Sequence, residues 1–249
     1  MLKHWFVLWM MCWSLPAWSQ APTAAEIVAN IDQNMVSGSR KSKITMTVTN
    51  PRGRVRSYQM EILGRGEEDS AITYLSPARE KGTKMLKIGE ELWTFLPSIE
   101  RTQKISGHMM RQGMMGSDFS YEDMMESKEL LKIYTSTVTG SEVVDGRDCW
   151  TMEMVAKEEG VTYPKRTTWI DKEFYIMLKQ ELFALSGMKL KTWRMSDITK
   201  IDDKRYFPKT MVVEDHLRKG STTTMVIEEI SFGLALEDEI FSLRWLERR

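Results

Sequence analysis

Hydrophobic spacing along the chain changes period once near the start. Between Thr23 and Met35, the residues Ile27, Ile31 and Met35 fall at i, i+4 and i+8, the single apolar stripe of an amphipathic helix. Thr23 with Glu26 three residues on has the form of a capping box, and Val36-Ser37-Gly38-Ser39 ends the helix. From Lys43 the period is two. Ile44, Met46 and Val48 alternate with Thr45, Thr47 and Thr49, as in a half-buried strand. Asn50-Pro51-Arg52-Gly53 makes a turn, and Tyr58, Met60 and Ile62 alternate on the return strand. Short strands follow over 71–75, 84–88 and 91–96, the last two joined at Gly89-Glu90 as a hairpin.

The alternation stops at Ile105. From there to Ser117 the chain holds three Gly and four Met with no clean period. Phe119 to Leu131 predicts a helix with Ser117 or Asp118 as cap. Strands resume over 134–138, 142–144, 150–155, 165–171, 175–184 and 188–194, then around Met211-Val213 and Met225-Ile227. Residues 239–246 read as a short helix or an edge segment. The reading is about ten or eleven strands in hairpin-like succession, which predicts a mostly antiparallel sheet of a length that curls or closes. Turn-forming residues are spread evenly, without a linker or a repeat, so residues 20–249 read as one domain.

Several strands carry apolar groups on both faces. Leu92 and Leu96 oppose Trp93 and Phe95, and Trp169 opposes Ile170. An antiparallel sheet commonly leaves one face wet, so something covers each face here. The expected architecture is a mostly β fold with some α: a half-open antiparallel β-barrel closed by the N-terminal helix and a central helical lid, with a cavity inside. A β-sandwich with a covering helix is the rival. Strand parity alone does not say which face points inward.

The N-terminus adds a compartment. Lys3 and His4 precede an apolar run from Trp5 to Trp13, and Pro16 and Ala17-Trp18-Ser19 follow. This is the form of a secretory signal over residues 1–19, cleaved after Ser19 and too short to span a membrane. Large residues (Trp9, Met10, Met11) before Cys12 argue against lipidation there. Cleavage leaves Cys149 as the lone thiol, so the expected periplasmic protein has no internal disulfide. Formal net charge is zero and no basic run marks a nucleic-acid footprint. A monomer is the default expectation.

Catalytic patterns are missing. The chain has no H-E-x-x-H, G-x-S-x-G or P-loop. Acid pairs such as Glu67-Glu68 and Asp202-Asp203 sit in turn-like segments, where solvated loop charge is the plain reading. Cys149 has no neighbouring base and reads as a buried strand thiol. The expectation is a protein that is not an enzyme and holds no cofactor.

Methionine is abundant, with 20 residues in the chain, and suits surfaces that repack around variable apolar partners. Met109, Met110, Met114, Met115, Phe119, Tyr121, Met124 and Met125 read as a lid with Gly107, Gly113 and Gly116 as hinges. The cluster His108-Met109-Met110 with Met114-Met115 also fits soft Cu(I) ligation. Trp93 and Phe95, with Trp150, Met152 and Met154, are the expected cavity lining.

These residues resemble a family. Leu92-Trp93-Thr94-Phe95-Leu96-Pro97, Arg101, the Gly/Met segment and Gly116-Ser117-Asp118-Phe119-Ser120-Tyr121-Glu122-Asp123 resemble the outer-membrane lipoprotein-sorting proteins. Phe207-Pro208-Lys209 and the ending Phe241-Ser242-Leu243-Arg244-Trp245-Leu246-Glu247-Arg248 do so as well. The resemblance runs from about Ala24 to the end and is most specific over 116–123. It implies a periplasmic carrier that binds the acyl chains of a lipoprotein or lipid and moves it between the inner and outer membranes, with transient membrane contact. It also implies a possible partner, an inner-membrane exporter of the resistance-nodulation-division type. A non-enzymatic accessory protein of such an exporter is the alternative reading.

Overall fold

The computed structural model of the protein describes residues 22–248, apart from 36–37, 67, 126–129 and 202–204. The expected leader with Cys12, Glu67 of one acid pair, and the Asp202-Asp203 pair lie outside those residues.

Helix α1 (Ala24–Met35) starts as its sequence predicts. Thr23 Oγ1 accepts from the Glu26 N–H at 3.2 Å, and the Glu26 carboxylate accepts from the Thr23 N–H at 2.7 Å. These bonds satisfy donors that a helix start leaves open, and they hold the Glu26 carboxyl below its ordinary value.

Thirteen strands follow: β1 (Ser39–Thr49), β2 (Val55–Arg65), β3 (Asp69–Ser76), β4 (Lys84–Ile88), β5 (Glu91–Leu96), β6 (Arg101–Ile105), β7 (Tyr134–Val144), β8 (Arg147–Ala156), β9 (Lys165–Asp171), β10 (Met177–Phe183), β11 (Lys189–Lys200), β12 (Tyr206–Asp215) and β13 (Thr222–Phe232). They form one antiparallel sheet in the order β6-β5-β4-β3-β2-β1-β13-β12-β11-β10-β9-β8-β7. Consecutive strands are neighbours except β6 and β7, which are the two edges. The first and last strands meet where β1 pairs β13, from Arg40 opposite Phe232 to Thr49 opposite Thr222.

One expectation needs correction: the strand count is thirteen where about ten or eleven were expected. A half-open barrel was expected, and the antiparallel sheet is open between β6 and β7. Strand β6 was missed because Arg101-Thr102-Gln103-Lys104 has no apolar alternation; its strand character comes from pairing with β5, Leu92 opposite Ile105 through Leu96 opposite Arg101. The stretches 134–138 and 142–144 are one strand, β7, interrupted by a register shift between Val138 and Gly140. An extra residue there breaks the alternation without ending the strand.

The segment between the edges, Ser106 to Ile133, carries 3-10 turns at Gly107–Arg111 and Met114–Gly116, then α2 (Tyr121–Met125) and α3 (Leu130–Ile133). Both helices fall on the one expected over 119–131, of which residues 126–129 lie outside the described ones, and the cap is Ser120 in place of Ser117 or Asp118. The C-terminal tail forms a 3-10 turn (Asp238–Phe241) and α4 (Leu243–Glu247).

Cross-strand register defines two faces. The inner face includes Tyr58, Met60, Met46, Met225, Met211, Trp193, Gln180, Thr168 and Met152, and α1 and the 106–133 segment pack onto it. The outer face includes Ala71, Leu86, Trp93 and Phe95, which pack against the C-terminal tail, and Cys149, Trp169 and Leu178. Residues from β4 and β9 line one cavity on the inner face. In a flat sheet those strands, eight places apart, would be separated by roughly 38 Å at about 4.8 Å per strand. The sheet is therefore strongly curled.

Candidate functional site

The 106–133 segment meets the sheet through a run of polar anchors. Arg218, in the turn between β12 and β13, donates to the carbonyls of Ser117 at 2.8 Å and Gly116 at 3.2 Å. Asp118 is buried, receives the Thr223 hydroxyl at 2.8 Å on its carboxylate, and faces the Arg218 guanidinium at 3.5 Å. Ser120 and Asp123 form a second capping box: the Ser120 N–H donates to the carboxylate at 2.6 Å and the Asp123 N–H to Ser120 Oγ at 3.3 Å. The Asp123 carboxylate also accepts from the Tyr163 hydroxyl at 2.6 Å and pairs with the buried ammonium of Lys191 on β11. A buried carboxylate is tolerated when several donors meet it, and Asp123 has them.

Gly113 is a close approach in this segment. A Cβ there would lie 1.9 Å from the Ser117 carbonyl oxygen, so the turn that brings 113 beside 117 demands glycine. Gly113 packs tightly where the sequence suggested a hinge. Gly116, at φ +74°, has the left-handed backbone that glycine adopts without strain.

Apolar packing surrounds these anchors. Met109, Met110, Met114, Met115, Phe119, Tyr121, Met124 and Met125 gather against Met46, Tyr58, Met60, Tyr74 and Met85. Burial raises the phenols of Tyr58, Tyr74 and Tyr121, so they stay neutral. His108 is exposed, and Met109 and Met110 beside it in sequence are half-buried. Two cavities flank α2. One, of ≈ 370 Å³, lies under α2 and α1 on the inner face; Ile31, Ile44, Phe119, Met124, Trp193, Met195, Met211 and Met225 form much of its apolar wall. The other, of ≈ 470 Å³, runs past Gly107, Met110, Glu122, Met125 and Tyr134. Desolvation raises the Glu122 carboxyl above its ordinary value. Successive residues of α2 thus face different spaces, Asp123 and Met124 the first, Glu122 and Met125 the second.

Among the described residues, the Ser120 hydroxyl that meets Asp123 and Lys191 is buried within the anchor, and the Thr192 hydroxyl lies 2.8 Å from His216 Nε2. Burial pushes the Cys149 thiol up to about 11, on the outer face among Trp169, Ile176 and Leu178. Such a thiol is inert as a nucleophile. What the inner face offers is an adaptable apolar lining with a few fixed polar groups, the usual character of a small-molecule site.

The fold has known counterparts. An outer membrane lipoprotein-sorting protein domain from Vibrio parahaemolyticus is 23% identical, with a TM-score of 0.78 over 89% of this chain and 97% of that one. A DUF1329 family protein from Desulfovibrio piger is 24% identical, with a TM-score of 0.81 over 90% and 97%. A LolA superfamily protein from Nitrosomonas europaea is 23% identical, with a TM-score of 0.73 over 90% and 100%. No curated protein matches the sequence. A family model described as an uncharacterized protein matches residues 66–248. The chain belongs to the family that this model describes, and it shares its fold with the lipoprotein-sorting and LolA superfamily structures.

Against the LolA-like frame, the sequence candidates divide. Met109, Met110, Met114, Met115, Phe119, Tyr121 and Met124 come together on the inner face. Trp150, Met152 and Met154 are also on that face but form a second cluster with α1 and α3, where Met152 and Met154 are fully buried by Ile27, Val28 and Leu130. Trp93 and Phe95 are elsewhere. They face outward under Trp245, Phe241 and Leu246, and the inner positions of β5 are Leu92 and Thr94, opposite Ile105 and Met85. The large rings fill the gap beneath the tail, where Lys84 donates to the Trp245 carbonyl at 2.8 Å and lies 4.6 Å from its ring.

Of the candidates, Phe119 and Met124 line the ≈ 370 Å³ cavity. Its other walls were not named as cavity lining in the sequence reading. Trp193, Met195, Met211 and Met225 sit on late strands whose alternation is legible, but only pairing of β13 with β1 puts Met225 opposite Met46. Arg166 and Lys191, charged residues on otherwise alternating strands, were the available signal for buried polar anchors.

Proposed function

We propose that the protein is a periplasmic carrier that holds the acyl chains of a lipoprotein or lipid in the inner cavity and moves its cargo between the inner and outer membranes. The observation that carries this reading is the ≈ 370 Å³ cavity between the curled sheet, α1 and α2, walled by Met, Ile and aromatic side chains. Small-molecule sites typically span about 300–1,000 Å³. Burial of an acyl chain stabilises by about 0.8 kcal/mol per CH₂, and flexible Met side chains adapt to chains of different length. On this reading Gly107–Met115 and α2 serve as the lid, held to the sheet at 116–123 and free to repack around the methionines. The names of the Vibrio and Nitrosomonas counterparts and the secretory form of residues 1–19 support the periplasm and a lipoprotein-sorting role.

An accessory role beside an inner-membrane exporter is the second reading. It is favoured by the outer side of β7, an eleven-residue edge that no strand pairs among the described residues. Such an edge can accept an extended segment of another chain.

The test is native mass spectrometry, with lipid extraction, of protein purified from a periplasmic fraction without detergent. A bound acylated species is expected. A clean apo mass with no uptake of added lipid or acyl-peptide overturns the carrier and leaves the accessory role.

A further inference from the structure

The polar groups of the inner cavity are unbalanced. Among the described residues, four basic side chains line it (Arg40, Lys87, Arg166 and Lys209) against one carboxylate, Asp123. That carboxylate is already met by Ser120, Tyr163 and Lys191. Other polar groups in the wall add donors. The Trp193 indole N–H is buried and has no hydrogen-bond acceptor, a state that buried donors seldom keep. Lys209 makes no ion pair among the described residues and lies on β12 two residues from Met211, on the same face.

Two of the cations share a row. Register places Arg40 beside Gly64, Gly64 beside Ser70, and Ser70 beside Lys87, across β1 to β4. A Cβ at Gly64 would sit 2.9 Å from Cζ of Arg40. The missing side chain therefore leaves a trough in which the guanidinium lies across β2, on the way to Ser70 and Lys87. Arg40 and Lys87 also hold contacts within the protein. Arg40 Nη1 donates to the Gly66 carbonyl at 3.4 Å; a guanidinium has five N–H donors and an ammonium three, so each can serve more than one acceptor.

We infer that the cargo carries a phosphate-bearing head beside its acyl chains, an anionic phospholipid in place of the uncharged acylated cysteine of a lipoprotein. This rests on the carrier reading above and specifies its substrate class. Phosphate oxygens only accept hydrogen bonds at neutral pH, and Arg and Lys are their natural partners. The chains lie along Met195, Met211, Met225 and Phe119. The Arg40–Lys87 row and Lys209 take the phosphate, and the Trp193 N–H takes an ester carbonyl.

The test uses the mature chain and three probes: dioleoyl phosphatidylglycerol, dioleoylglycerol with the same chains and no phosphate, and glycerol 3-phosphate with no chains. The two lipids are delivered from cyclodextrin, and occupancy is read by native mass spectrometry. Phosphatidylglycerol is expected to load on the order of tenfold better than dioleoylglycerol, the effect of one or two charge-assisted bonds. Lys209→Met, Arg40→Met and the milder Gly64→Ala, which displaces Arg40 without removing it, should lower phosphatidylglycerol loading toward the dioleoylglycerol level and leave dioleoylglycerol unchanged. Equal loading of the two lipids by the unaltered protein overturns the head-group inference while the carrier stands. Uptake of neither lipid overturns both. Glycerol 3-phosphate binding as tightly as the phospholipid also overturns the inference, by making the site one for free phosphate.

Discussion

Both faces of the sheet are covered, by different kinds of contact. On the outer face, Trp245, Phe241 and Leu246 of the tail seat against Leu86, Ala71, Trp93 and Phe95. These are rigid rings and branched chains, and Lys84 and Arg65 add cation–π contacts at 4.6 Å and 4.4 Å. On the inner face the cover is methionine-rich and is held by buried polar anchors at 118–123. Rigid shapes give a single packing, and unbranched thioethers allow many. The difference separates a face built for stability from one able to admit something else, with specificity of attachment supplied by hydrogen bonds.

The sharpest way to break that contrast is at the inner anchor. Asp123→Ala leaves the Lys191 ammonium, at 10% exposure, without its carboxylate. It should destabilise the protein by about 3–5 kcal/mol, read by urea unfolding, and the Asp123→Leu/Lys191→Met double variant should recover part of that loss. If Asp123→Ala unfolds like the unaltered chain, the anchor does not hold the segment. Leu246→Ala, on the outer face with no exposure, should lose about 2–5 kcal/mol and leave cargo occupancy unchanged. An occupancy change there would mean that the two faces are coupled. Met109→Leu/Met110→Leu should shift stability by less than about 1.5 kcal/mol and keep acylated cargo, whereas the Ser pair should shed most of the cargo in native mass spectra with the fold intact. Equal cargo in both variants would remove the methionines from the site.

The smallest effect concerns Cys149. Because burial raises its thiol to about 11, iodoacetamide at pH 8 should label it only after unfolding. The folded state holds this proton more tightly than the unfolded state. Its contribution to stability is thus complete below the unfolded thiol's value and is lost as pH rises through about 11. Rapid labelling of the native protein at pH 8 would show that the outer face opens there.

Much of the site was visible in one-dimensional pattern, in pieces. The stretch 116–123, the most specific part of the family resemblance, is where the 106–133 segment is anchored. Its meaning was hidden because its partners are distant: Thr223 lies 105 residues from Asp118, and Lys191 68 residues from Asp123. Trp93 and Phe95 were recognised as packed rings and assigned to the wrong face. Gly113 was read as freedom and is a constraint, since Ser117 closes on it only in the folded turn.

What the sequence alone determined is local. It set α1 with its Thr23–Glu26 cap, most of the strands, the antiparallel succession and the break at Ile105, because a helix stripe, strand alternation and turn chemistry depend on neighbours a few residues apart. Only the tertiary structure decided which side of each strand faces the cavity, that β6 and β7 remain edges, and that Met225 lies beside Met46. Alternation of period two is symmetric between the faces. That symmetry is broken only when the sheet curls, β1 meets β13, and a segment anchored by residues far away in the chain comes to lie on one side.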